Sequence, residues 1–149
     1  MGRGYRPRRL TRVGEDLSDL VRRTGGIHGE LDIQFVEVTP ERVVLTLEVG
    51  PRVHQPFGLL HGGISALLAE SAASVGATAC VWPAQVAVGT ELNCSHLRSM
   101  RSGTLTATAR PLRKGRRVHV WAIDLTDDDG DLICAARCSL QILPATTPS

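Results

Sequence analysis

Residues 55–82 read QPFGLLHGGISALLAESAASVGATACVW, and this stretch decides the fold. It opens with Gln55-Pro56-Phe57-Gly58, passes through His61-Gly62-Gly63, and continues as a long helix of Ala, Leu, Ser and Gly. Ile64, Leu67, Leu68, Val75 and Ala79 fall near one stripe at helical spacing. Ala66, Ala73 and Ala77 lie opposite and are small enough to admit another surface. A helix of that kind is expected to be wrapped by protein all round. Its single charged residue is Glu70. A lone buried carboxylate costs roughly several kcal/mol of desolvation unless it is hydrogen-bonded or neutralised. Glu70 is therefore a functional candidate.

Outward from the helix the period changes to two. Leu31–Val38 and Val43–Val49 alternate around a turn at Pro40-Glu41, which reads as a hairpin. After the helix come four more strand-like runs: Gln85–His96, Gly103–Arg110, Arg116–Asp127 and Leu132–Leu143. Lys114-Gly115 and Asp128-Asp129-Gly130 supply the last two turns. The expected fold class is α+β, an antiparallel sheet wrapped around one long central helix. Val118, Val120 and Ala122 alternate with Trp121, Ile123 and Leu125, so both faces of that strand are apolar. One helix covers one face, and the other is expected to meet a second subunit. The chain thus divides into residues 1–30, a basic arm with a short helical pattern over 14–24, a domain over 31–144, and a disordered tail over 145–149.

A chain of 149 residues suffices for one domain with a real core. Its aromatic residues are Tyr5, Phe35, Phe57, Trp82 and Trp121, too few for a platform that stacks nucleobases. The formal charge of +2 conceals two basic groups. Seven arginines precede residue 24, and seven basic residues lie between Arg98 and Arg117 with no acid from Asn93 to Ile123. The second group suits a phosphorylated ligand. Cys80, Cys94, Cys134 and Cys138 have neither the spacing of a metal site nor that of a redox motif, and core packing accounts for them. No apolar run follows the basic N-terminus, so no secretory signal is visible. Leu59–Trp82 has the length of a membrane span, but Glu70 and its small residues argue against one. The expectation is a cytoplasmic protein that engages neither membrane nor nucleic acid and needs no metal or redox cofactor.

At the start of the helix, backbone N–H groups lack internal partners and point outward. Gly62 and Gly63 there allow close approach, and such donors suit a carbonyl oxygen that becomes an oxyanion. His61 and Glu70 are nine residues apart, hence ~13 Å along one helix and half a turn out of phase. They cannot meet on one substrate within one helix, so a shared site requires a second copy about a two-fold axis. Ser74 follows Glu70 by one turn on the same face. Taken singly, Gln55 and Ser74 carry no signal, and His61 reads as a residue bonding its own backbone at the helix start. Arg113, Lys114, Arg116 and Arg117 read as a solvated turn. His28, His54 and His119 show no partner spacing.

In QPFGLLHGGISALLAES (55–71), GTELNCSHLRS (89–99) and PLRKGRRVHVW (111–121), the sequence resembles the hotdog-fold thioesterases of the phenylacetate-pathway type, nearest their aryl-CoA branch. The resemblance implies that Glu70 is the catalytic carboxylate, as nucleophile or as general base. It implies that the Gly62 N–H polarises the thioester carbonyl, with Gln55 and His61 positioning it and Ser74 supplying a hydroxyl. His96, Leu97, Arg98 and Ser99, and Arg113, Lys114, Gly115, Arg116, Arg117 and Val118, would hold coenzyme A, with Gly89 near the acyl group. The implied assembly is a dimer with shared sites, or a tetramer built from it. Two rivals remain open: acyl-thioester dehydration or hydration, and a non-catalytic acyl-CoA-binding module.

Overall fold

The structure, a computed structural model, describes Leu17 and residues 26–145. The expected basic arm, the helical pattern over 14–24 apart from Leu17, and the tail beyond residue 145 lie outside the described residues.

Helix α1 spans Ile27–Glu30 and is followed by β1 (Gln34–Val38) and β2 (Val43–Val49). A 3-10 turn at Pro51–Val53 leads to α2 (Gly62–Ala79), after which β3 (Gln85–His96), β4 (Gly103–Lys114), β5 (Val118–Thr126) and β6 (Leu132–Pro144) complete the chain. The six strands form one sheet in the order β1-β2-β4-β5-β6-β3, antiparallel throughout. The connection through α2 therefore carries the chain from β2 to the far edge, where β3 pairs with β6 alone.

Helix α1 was not expected, because four residues are too few to show a period. Strand β4 runs past the expected end at Arg110 to Lys114. Beyond Ala109 only β5 lies beside it, and the ladder shifts register between Pro111 and Arg113. An irregular, one-sided stretch is where a strand tolerates a residue without an N–H.

The larger correction concerns α2. Its sheet-facing side is the small one: Ser65, Ala69, Ala72, Ala73 and Gly76 are buried, flanked by Leu68 and Val75. Of the expected apolar stripe, Leu68 and Val75 are buried, while Ile64 and Leu67 are half-buried and pack against the edge of the core. Small residues win this position because they let the helix axis come close to the inner sheet residues. A Cβ built on Gly76 would lie 2.5 Å from Trp121 Cη2 and 3.0 Å from Val43 Cγ2. Trp121, Ile123 and Leu125 are fully buried beneath the helix, together with Leu45, Leu105, Cys134, Cys138 and Leu140. On the outer face of β5, Val118 is exposed and Val120 and Ala122 are half-buried. Glu70 lies on the flank of α2 beside β3, against Gly89, and is exposed rather than buried. Among the described residues no helix is long and apolar enough to cross a membrane.

Two histidines are tied into this frame. His28 Nε2 bonds Ser71 Oγ at 2.8 Å while its ring meets Phe35 edge-on, and burial lowers its pKa from the ordinary 6.5. His119, on the inner face of β5, is buried with Nδ1 unpartnered, and burial, then the charge of Lys114, lowers its pKa as well.

Gly76→Ala should destabilise the fold by about 1–3 kcal/mol, the usual cost of overpacking, because its methyl overlaps a fully buried indole. Equilibrium unfolding of the pair measures it, and an unchanged midpoint would contradict the packing described. Both histidines are less basic folded than unfolded, so as pH falls the unfolded chain takes up protons first. The stability they confer is full above about 6.5 and is lost as pH drops through their folded values. The fall in thermal midpoint between pH 7 and 5 should shrink when His28→Gln and His119→Gln are combined.

Candidate active site

The turn before α2 is built by its sequence. Pro56 presets the second position of a tight turn closed by Gly58 N–H to Gln55 O at 2.9 Å, and Gly58 adopts φ 73. Gln55 N–H bonds Leu59 O at 2.8 Å, Leu60 N–H bonds Met100 O at 2.7 Å, and His61 N–H bonds Val53 O at 2.9 Å. From the other side, His54 Nε2 bonds Arg101 O at 2.7 Å and Arg101 Nη1 donates to Gly58 O at 3.3 Å. The segment delivering Gln55 and Gly62 is thus held along its length.

At the helix start, Nδ1 of His61 accepts from Gly63 N–H at 2.8 Å and its carbonyl accepts from Ile64 N–H at 2.9 Å. These bonds satisfy two of the orphan donors of the first turn. The Gly62 N–H bonds no group among the described residues. His61 is thus the capping residue, as its position alone suggests. Gln55 Oε1 accepts from Phe57 N–H, which leaves the Gln55 amide nitrogen as a donor.

Gln55 and Gly62 open onto a cleft of about 390 Å³, which His61 does not line. Gln55, Gly62 and the segment His96–Ser99 meet there, so one part of the implied coenzyme A segment lies beside the implied carbonyl donors. The His96 ring stands over Gly62, with Nε2 3.0 Å from where a Cβ would be. The apolar wall comes from Leu59, Leu60, Met100 and Ile133, of which Met100 and Ile133 lie outside the stretches that carry the resemblance.

Other named residues lie elsewhere. Arg113, Gly115, Arg116, Arg117 and Val118 line a separate surface hollow of about 480 Å³. Lys114 does not line it; its Nζ is paired with Glu41 Oε1 at 3.3 Å. Arg98 is ion-paired with Asp131. The acid-free run along the sequence is thus partly neutralised in space, while Arg113, Arg116 and Arg117 have no ion-pair partner among the described residues. Glu70 projects from the flank of α2 nearest β3, where Gly89 lies against it, and Ser74 follows one turn on. Gly62 and Glu70 are eight residues apart, ~12 Å along the axis, so one carbonyl cannot engage both in a single chain.

The thiols offer no competing nucleophile. Burial pushes Cys134 up to about 11, and burial followed by the nearby charges of Glu70 and Glu91 does the same to Cys138. Cys80 and Cys94 are raised too, chiefly by burial. All four are thiols near neutral pH, and the thiolate is the reactive form. Among the described residues no three His, Cys, Asp or Glu side chains are grouped as metal ligands.

The family model described as "Thioesterase superfamily" matches residues 57–134. The chain belongs to the thioesterase superfamily. It is 42% identical over 117 residues to 1,4-dihydroxy-2-naphthoyl-CoA hydrolase from Listeria monocytogenes, covering 78% of this chain and 95% of that one. It is also 42% identical over 119 residues to the protein of the same name from Escherichia coli, covering 80% and 88%. Among solved structures it matches a thioesterase from Haemophilus influenzae with TM-score 0.81 and 34% identity, over 87% of this chain and 92% of the other. A thioesterase from Pseudomonas aeruginosa gives 0.80 and 41%, over 88% and 96%. The fold is the hotdog fold, and the thioesterase is a thioester hydrolase.

Proposed function

We propose that this thioesterase hydrolyses an acyl-CoA with an aromatic acyl group, at sites shared between two copies of the chain. The observation that carries the reading is the separation of two chemistries on one helix. Gly62 offers a free N–H at the start of α2, and Glu70 offers an exposed carboxylate ~12 Å further along it. Strand β3 supports the pairing: its twelve residues form a sheet edge with β6 on one side only. Such an edge is a template for a second strand. A second copy related by a two-fold axis along that edge would bring its Glu70 towards the first copy's cleft. The partly apolar outer face around Val120 and Ala122 suits a further pairing of dimers into a tetramer.

In this reading the thioester oxygen accepts hydrogen bonds from the Gly62 N–H and the Gln55 amide. These bonds strengthen as the oxygen becomes an oxyanion. Glu70 of the second copy takes a proton from water as it attacks, or attacks first to give a mixed anhydride that water then opens. The coenzyme A thiol leaves, and the acid remains. Ser74, one turn from Glu70, holds the water or the carboxylate. Arg113, Arg116 and Arg117 would meet the phosphates of coenzyme A, and the His96–Ser99 segment its arm near the carbonyl. The aromatic acyl group rests on the two naphthoyl-CoA hydrolases. Four free cysteines suit a reducing cytoplasm. Dehydration chemistry would need a histidine base, and His61 has one ring nitrogen committed to the Gly63 N–H.

The test is release of free thiol from benzoyl-CoA-type substrates. Glu70→Gln should lower kcat by at least ~100-fold, the scale of general acid–base catalysis. Turnover equal to the unsubstituted enzyme would remove Glu70 from the mechanism.

A further inference from the structure

We infer that Gly89 is a positioning residue for Glu70: the bare Cα of β3 is the seat on which the carboxylate lies. This rests on the reading of Glu70 as the catalytic carboxylate. A Cβ placed on Gly89 would overlap Glu70 Oε1 outright, with Cδ at 3.2 Å and Cγ at 3.5 Å. The three nearest atoms to that missing methyl all belong to Glu70. Nothing else asks for glycine there. Gly89 is not among the glycines with positive φ, so its backbone would accept any residue, and alanine generally suits a strand interior better than glycine. Only the carboxylate, the end of a flexible side chain, would have to move aside for the methyl.

The strand around Gly89 serves the same end. Gly89 pairs with Leu140 and Glu91 with Ser139, so Thr90 is an extra residue between them. Thr90 Oγ1 donates to Ser139 O at 3.0 Å and fixes this bulge. In a regular strand Gly89 and Glu91 would share the inner face, and two carboxylates would crowd beneath α2. The bulge turns Glu91 to the outer face, where Ser139 Oγ donates to it at 3.5 Å. Glycine admits the Glu70 carboxylate, and the shifted register removes its like-charged neighbour.

Gly89→Ala should lower kcat about tenfold or more with KM within about threefold, since a displacement near 1 Å can cost ~100-fold. Its thermal midpoint should be unchanged or raised, a combination that a merely structural glycine would not give. Glu70→Asp draws the carboxylate back by one methylene, away from the added methyl. In that background Gly89→Ala should cost less than about threefold. Three results overturn the inference: full kcat in Gly89→Ala, an equal loss in both backgrounds, or a KM rise confined to bulky acyl groups with kcat intact. If Glu70→Gln itself keeps full activity, the catalytic reading falls instead, and the two failures are told apart.

Discussion

The nearness of α2 to the sheet is the constraint on which the rest of the structure depends. Gly76 over Trp121, with Ala69, Ala72 and Ala73 beside it, lets a helix settle on a sheet at a distance that larger side chains would forbid. That choice of face has a consequence on the opposite side. Putting the small residues inward turns Glu70 and Ser74 outward, next to the sheet edge formed by β3. Among the described residues the packing of α2 leaves the Glu70 carboxylate exposed beside β3.

Much of the architecture was legible. β2 and β3 fall where the two-residue period places them, at Val43–Val49 and Gln85–His96, and the order of helix and strands is as expected. What local pattern does not carry is contact. The apolar and small residues of α2 both form stripes, and which residues turn inward depends on distant contacts such as that of Gly76 with Trp121, 45 residues beyond it. The same holds for His28, whose partner Ser71 lies 43 residues away and so has no spacing to reveal it. β4 hid its last residues behind Pro111, which reads as a strand end but sits at a shifted register.

The site divides in the same manner. Gln55 and Gly62 were marked by their motif, and the fold brings them to one cleft with His96–Ser99. Along the chain the basic run contains no acid from Asn93 to Ile123. In space Asp131 reaches Arg98 and Glu41 reaches Lys114, and Arg101, Arg110, Arg113, Arg116 and Arg117 have no ion-pair partner among the described residues. Glu70 was singled out by the cost of burying it, yet it is solvent-exposed in the single chain. Its candidacy now stands on its seat against Gly89 and on its separation from the free amide, both of which make sense if a second copy completes the site.

That shared arrangement is tested most directly by mixing two inactive chains. Gly62 is the first residue of α2, where proline is tolerated, and His61 before it has φ −70 and ψ 127, the extended conformation that a following proline requires. Gly62→Pro therefore deletes one N–H while keeping the helix start, and its added Cβ meets the His96 ring of the same chain at 3.0 Å. Co-assembled in equal amounts with Glu70→Gln, it should restore thiol release to about a quarter of the unsubstituted rate, because half the dimers are mixed and each carries one intact site. Activity no greater than the sum of the two parents, in a mixture shown to exchange subunits, would contradict the account.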